Sequence, residues 1–396
     1  MIARGLRVLC LDIEGGYGGS SRSLYESIRH LDRSAVIPEV WCRQAGPIQA
    51  RYAGIGVPCR VAPHMPKVSS LQRLSRSLIV YGRALWEFQR AGGFLNELAR
   101  TVNDRFDLIH FNHEALFMLA KWLRERTAVP CTMHIRTNLA DTVFSRWQTR
   151  TIARTMDHLV FITENEQKTF YRLGGSCAGT VIYNVATPPD SSVEPVPQVP
   201  RDGRLKVACL SNYAWQRGLD RLIEVAECLA AWGRRDVLFV VAGNMDAPTH
   251  LSSPLRKIMR RNSALPDAVE KCGLGDMFHF LGHVPEPERV LVACDVLVKP
   301  TRENNPWGRD ILEALACGKP VMTVGSYDRF VTTGETGFLR EAFSPQEWAQ
   351  QLVAFAKNPG LLATMGEQAR WRVARLCNGR DRAADLLAVW TKLVRV

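Results

Sequence analysis

Val298–Val321 reads VKPTRENNPWGRDILEALACGKPV, and the reading of this stretch decides the fold. A short apolar strand from Asp295, DVLVKP, runs into a polar loop that holds Pro306, Trp307 and Gly308. The loop opens directly into a helix predicted over 309–317. Gly318 stands where helix C-termini favour glycine, and Pro320 follows just beyond. A second apolar strand, PVMTVG, comes next. Strand, loop, helix and strand make a βαβ unit, and open α/β sheets bind ligands at the carboxyl ends of their strands. The helix N-terminus offers free N–H groups and a partial positive charge, which suit a phosphate. Glu313, one turn in, is placed to accept hydrogen bonds from a sugar hydroxyl. On spacing alone the loop also reads as an ordinary connection, because Pro, Gly and Asn mark any loop.

The pattern extends outward in both directions. Upstream lie the strand RLKVACLS (204–211), the loop NYAWQRG, the helix LDRLIEVAECLAAW and the strand DVLFVVAGN. The strand MFHFLG (277–282) follows, with His283 at its end. The chain is helical from Ser344 onward, and a last helix is predicted over 380–396. The first half repeats this architecture without repeating the sequence. Its first strand, around RVLCLDI, leads through a glycine-rich turn containing Gly18 and Gly19 into the helix SRSLYESIRHL. A lone glycine-rich turn is weak evidence, and a tight strand-to-helix connection explains it equally. Further strands are predicted at 38–41, 58–61, 107–113, 128–137, 159–164 and 180–185. His134 closes the apolar part of the fourth of these. Between the halves, TPPDSSVEPVPQVPRDG (187–203) reads as an extended linker. Two strand–helix domains joined by a stiff linker imply a cleft between them.

Composition bounds the partners. A chain of 396 residues is long enough for two cores. A formal net charge of +12 suits an anionic ligand, an anionic membrane or nucleic acid. The basic residues are dispersed and no nucleic-acid motif is present, which argues against nucleic acid. Eleven cysteines without a CxxC pair read as reduced thiols in a cytosolic protein. No run has the layout of a signal peptide or the length of a membrane helix, so any membrane contact is expected to be peripheral, at the inner face. The stretch 67–90 carries Lys67, Arg73, Arg76, Arg83 and Arg90 interleaved with apolar residues. It reads as a basic amphipathic helix, which is either a solvated face or a surface for anionic lipid or a lipid-linked acceptor.

The 298–321 run resembles the nucleotide-sugar motif of GT-B glycosyltransferases of family 4. There, one glutamate, seven residues and a second glutamate precede a small-residue helix ending in Gly-x-Pro-Val. Glu313, Ala314, Ala316, Gly318, Pro320 and Val321 match. The first glutamate does not, because Asn305 stands eight residues before Glu313. Counted forward from Pro300, that position falls on Asn304, and Glu303 lies one place off. Thr333–Phe338, TGETGF, matches a further family turn. The likeness is strong over 295–340, moderate over 205–245 and weak over 40–105, where acceptors bind.

The resemblance implies a GT-B fold, with two Rossmann-like domains facing across a cleft and a terminal helix crossing back. Its domains are 1–186 on the acceptor side, the linker 187–203, the nucleotide-sugar domain 204–376 and the returning helix 377–396. It implies a retaining, metal-independent transferase with no cofactor besides its nucleotide-sugar donor. The acceptor would be a glycan, a lipid-linked molecule or a small molecule, within cell-surface polysaccharide synthesis. It places Gly18, Gly19, Asn212, Arg217, His283, Pro306, Trp307, Gly308, Arg309 and Glu313 at the donor, with Arg217, His134 and Asn305 as catalytic residues. Arg217-Gly218 stands at the family's Lys-Gly, while the family's arginine five residues earlier falls on Asn212. Arg309 is then a replacement cation for the diphosphate. The two absent charges leave a second expectation, a relative that binds a nucleotide sugar or glycan without turnover.

Overall fold

A computed structural model describes residues 5–16, 18–68, 78–245 and 264–394. The chain divides into two compact units, Met1–Val185 with Cys377–Val396, and Ala186–Leu376.

In the first unit, strands β1 (Leu6–Asp12), β2 (Val36–Cys42), β3 (Cys59–Val61), β4 (Leu108–Phe111), β5 (Cys131–Ile135), β6 (His158–Phe161) and β7 (Gly179–Val181) form one parallel sheet. Its order is β3-β2-β1-β4-β5-β6-β7. Helices α1 (Gly19–Arg29), α2 (Ile48–Gly54), α3 (Leu78–Arg90), α4 (Gly92–Arg105), α5 (Phe117–Arg124), α6 (Val143–Thr155) and α7 (Glu164–Arg172) connect the strands. The strands are near-continuous apolar runs because helices cover both faces. Leu9, Leu11, Phe111, Met133 and Phe161 pack under α4 to α7. Val8, Cys10, Val40 and Val160 face the other way.

The second unit repeats the scheme. Strands β8 (Leu205–Leu210), β9 (Val237–Ala242), β10 (Phe278–Gly282), β11 (Val296–Lys299), β12 (Val321–Val324) and β13 (Gly337–Arg340) are all parallel, in the order β10-β9-β8-β11-β12-β13. Its helices are α8 (Arg221–Ala231), α9 (Leu265–Lys271), α10 (Pro287–Ala293), α11 (Arg309–Ala316), α12 (Pro345–Lys357) and α13 (Pro359–Leu376). Both sheets therefore reverse strand order once, between β1 and β4 and between β8 and β11. Those reversals are where doubly wound sheets hold ligands.

The last helix, α14 (Gly379–Val394), packs in the first unit. Ala383, Leu386 and Trp390 are buried there with Leu24 and Ile28 of α1 and Val8 of β1. The proline-rich stretch after Val185 packs with the second unit. Val196 and Val199 are buried, and the Val196 N–H donates to the Arg289 carbonyl at 3.1 Å. The expected helix over 67–90 begins only at Leu78 among the described residues. Lys67 and Val68 are irregular, because the Val68 N–H donates to the Ala115 carbonyl at 2.9 Å instead of entering a helix. Arg73 and Arg76 lie outside the described residues.

Candidate functional site

The β8 and β11 loops are fastened to each other. After β8 the chain makes a short 3₁₀ turn, Trp215–Arg217, that ends on Gly218 with φ +71°. A side chain at Gly218 would be strained at that φ, and its Cβ would collide with the Pro300 carbonyl. From the β11 loop, the Arg302 N–H and the Thr301 hydroxyl both donate to the Gln216 carbonyl, at 2.9 and 3.2 Å. The Arg302 guanidinium grips Asp220 through two bonds of 2.7 Å and lies 3.6 Å over the Trp215 ring. Arg221 donates to the carbonyls of Pro300 and Thr301. Arg217 is thereby fixed beside the β11 loop, exposed and without an ion pair among the described residues.

The β11 loop is itself rigid. Pro306 and Trp307 are buried, and the Trp307 ring meets Tyr327 edge-on at 5.3 Å. Asn304 ties the loop to the end of β12. Its amide donates to the Ser326 hydroxyl at 2.9 Å and accepts from the Ser326 N–H at 3.0 Å. Asn305 has a different environment. Its amide donates to the Glu303 carboxylate at 2.9 Å, while its Oδ1 is buried without a hydrogen-bond partner among the described residues. That acceptor needs a donor, since a buried unpaired oxygen costs about 1–3 kcal/mol.

Lys299, at the end of β11, was not foreseen as a site residue. Its ammonium lies beneath Gly308 and pairs with Asp310 at 3.0 Å, with the side chain 7% exposed. A Cβ at Gly308 would displace both charged groups. Gly308 caps α11 without a side chain, and the Ile311 N–H of the first turn donates to Asp310 Oδ1 and to the Gly308 carbonyl, both at 3.0 Å. Lys299 offsets the charge of Asp310, which would otherwise oppose an anion at this positive helix end. The available signal was a lysine inside an otherwise apolar strand.

Arg309 and Glu313 are paired along the helix, with Nη2 2.8 Å from Oε1. Arg309 therefore braces the motif glutamate in this structure. Asn212 braces two loops, its Oδ1 accepting from the Asn244 N–H after β9 at 2.8 Å. His283 is exposed, directly after β10.

In the first unit, Gly18 caps α1, and a Cβ there would strike the Glu14 carboxylate. Gly19 begins the helix and is exposed. His134 does not close its strand. It lies within β5 at 4% exposure, its Nδ1 2.8 Å from His110 Nε2, and His110 packs edge-on against Trp390. Burial, then the nearby Arg136 charge, push both imidazoles down, His110 to about 3, so both are neutral. The polar groups gathered at this sheet's carboxyl edge centre on Arg136. It donates to the Asn112 carbonyl at 2.7 Å, to Asn112 Oδ1 at 2.6 Å and to Asn184 Oδ1 at 3.0 Å. Asn112 in turn donates to buried Asp12 at 2.9 Å. Sequence reading passed over Arg136 because its side-chain partners follow two other strands, β4 and β7.

Among the described residues no cluster of His, Cys, Asp or Glu is arranged to hold a metal ion. No described helix is long and apolar enough to cross a membrane.

Comparison with known proteins agrees with this fold. The family model for glycosyl transferases group 1 matches residues 193–372, and that for the glycosyl transferase 4-like domain matches residues 18–184. A D-inositol 3-phosphate glycosyltransferase of Streptosporangium roseum is 28% identical over 305 residues, 67% of this chain and 66% of that protein. A namesake from Thermobispora bispora is 31% identical over 138 residues, and the match spans only 32% of its length and 34% of this chain. A lipopolysaccharide core mannosyltransferase, LpcC of Rhizobium leguminosarum bv. viciae, is 26% identical over 52% of this chain and 56% of its own. Among solved structures, Anabaena HepE in complex with UDP superposes with a TM-score of 0.75 at 19% identity, covering 98% of this chain and all of that one. Sucrose-phosphate synthase of Thermosynechococcus elongatus gives 0.71 at 16% identity, covering 98% and 99%. With two Rossmann-like parallel sheets and family matches over both halves, the chain belongs to the group 1 glycosyltransferases of GT-B fold.

Proposed function

We propose that this protein transfers a sugar from a nucleoside-diphosphate sugar to a glycan, lipid-linked or small-molecule acceptor in the synthesis of cell-surface polysaccharide or glycoconjugate. The observation that carries the reading is the fastened pair of loops in the second unit. The turn that ends in exposed Arg217 is held against the β11 loop, and that loop leads into α11, where Glu313 lies one turn along. The leaving diphosphate gains negative charge as the glycosidic bond breaks. Fixed cations and N–H groups aimed at it stabilise that state more than the ground state. Glu313 holds the ribose hydroxyls, and Asn305 directs its amide to the donor sugar. His283 and Asn212 edge the same side of the sheet, just after β10 and β8.

The finer reading is transfer with retention at the anomeric carbon, no divalent metal and no cofactor besides the donor. HepE has been solved with UDP and with UDP-glucose, which makes uridine donors the first to try. The site of action would be cytoplasmic, at the inner face of the membrane. Supporting this, Leu85 and Trp86 of α3 are exposed beside Arg90. The test is incubation with UDP-, GDP- and ADP-sugars, reading donor hydrolysis by mass spectrometry with and without EDTA and the released anomer by NMR. Hydrolysis that survives EDTA with retention supports the reading. Donor binding without any turnover would favour a non-catalytic relative, which the neutral Asn212 and Asn305 allow. Loss of turnover in EDTA would refute metal independence.

A further inference from the structure

The outer surface of α5 and α6 shows a second feature. Neither helix contains an acidic residue, while together they carry Lys121, Arg124, Arg146, Arg150 and Arg154. Arg124 and Arg146 are neutralised by Asp157 and Asp141, at 2.9 and 2.7 Å. Lys121, Arg150 and Arg154 are exposed and pair with no carboxylate among the described residues. They line a groove of about 570 Å³ between the two helices, which Val143 and Trp147 also line. Val143 is 87% exposed and Trp147 45% exposed, although Trp147 rests edge-on against Phe117 and Phe144. The other face of α6, with Phe144, Gln148 and Ile152, is buried in the sheet core. The free face thus has an apolar head on the first turn and unpaired cations along the following turns.

We infer that the α5–α6 face docks on a bilayer of anionic phospholipid, with Val143 and Trp147 entering the headgroup boundary and Lys121, Arg150 and Arg154 meeting lipid phosphates. The charge complementarity is one-sided, and an indole with an apolar body and polar edge suits the membrane–water interface. Each basic residue close to such a surface adds to binding, and the attraction fades within a Debye length. This deepens the peripheral-membrane reading above and rests on it, but assigns the contact to residues other than those of α3.

The experiment is co-sedimentation of the full chain with vesicles of phosphatidylcholine alone and with phosphatidylglycerol. It compares wild type, the triple variant Lys121→Gln/Arg150→Gln/Arg154→Gln, and Arg90→Gln on α3. Thermal melting confirms that each variant is folded. We expect wild type to bind only the anionic vesicles, and the triple variant to lose about a hundredfold in partitioning, the scale of three basic residues at such a surface. Val143→Asp should weaken binding as well. If the triple variant binds like wild type while Arg90→Gln does not, the docking face is α3 and this inference falls, though the peripheral reading stands. If wild type ignores anionic vesicles, both fall. If the triple variant keeps vesicle binding but loses retention on dextran sulfate, the groove serves an anionic glycan and the lipid assignment is wrong.

Discussion

Arg309 and Glu313 form an ion pair across one turn of α11, with Nε and Nη2 lying 2.9 and 2.8 Å from the same carboxylate oxygen. The pair holds the glutamate's rotamer at the mouth of the β11 loop. If Glu313 receives the ribose hydroxyls, Glu313→Ala should weaken nucleoside-diphosphate binding by about tenfold or more, the scale of a charge-assisted hydrogen bond of roughly 1.5–3 kcal/mol. Arg309→Ala should weaken it too. The double variant should then show coupling of at least about 0.5 kcal/mol, as residues in contact do. Strictly additive losses in calorimetric titrations would mean that Arg309 does not act through Glu313.

Arg217 stands exposed at the end of its turn and free of ion pairs among the described residues, and the proposed reading gives its charge to the leaving group. Because that charge matters most as the bond breaks, Arg217→Ala should lower kcat at least as much as it raises KM. A rise in KM alone would assign Arg217 to ground-state binding.

Asn305 and Glu303 divide one position between them. The Asn305 Oδ1 lacks a partner among the described residues, whereas Glu303 is exposed and supports the asparagine amide. Asn305→Ala should reduce kcat/KM by about tenfold, one lost hydrogen bond. Glu303→Ala should change it by less than about threefold, as for a solvated loop charge. Inactivation by Glu303→Ala with a silent Asn305→Ala would reverse the assignment.

Much of the fold is legible in the sequence because its signals are local. Gly308 before α11, Gly318 after it and the apolar runs on either side need only neighbours in the chain. The ties that build the site are not local. Arg302 meets Asp220, Arg136 joins Asn112 to Asn184, and Lys299 meets Asp310 on the far side of the loop. Only packing the strands side by side brings these charges together. His134 was misplaced for the same reason. Its partner His110 belongs to the neighbouring strand β4, and Trp390 comes from the last helix.

The Lys299–Asp310 pair gives a stability prediction. Removing one partner of a buried pair leaves the other uncompensated, at about 3–5 kcal/mol. Asp310→Ala strands the more deeply buried ammonium, so it should lower the melting temperature more than Lys299→Met does. The reverse order in thermal denaturation would show that Lys299 is reached by water.

The two buried histidines predict acid sensitivity. His110 titrates near 6.5 when unfolded and near 3 when folded, so the unfolded chain binds the extra proton between those values. Stability is then full above about pH 6.5 and is lost as pH falls toward 3. His134 shifts in the same direction. Asp12, raised by burial, works in the opposite sense on the acid side. Melting temperature should fall steadily from pH 7 to pH 4.5, and less steeply in His110→Asn. A flat profile would contradict neutral, buried imidazoles.

The most direct test of the nucleotide-sugar reading is calorimetric titration of the wild-type chain and Glu313→Ala with UDP, GDP and ADP in EDTA. The account predicts that wild type binds at least one of them and that the substitution weakens this binding by tenfold or more. Absence of binding to all three, or equal affinity in the two proteins, would contradict a donor site at the N-terminus of α11.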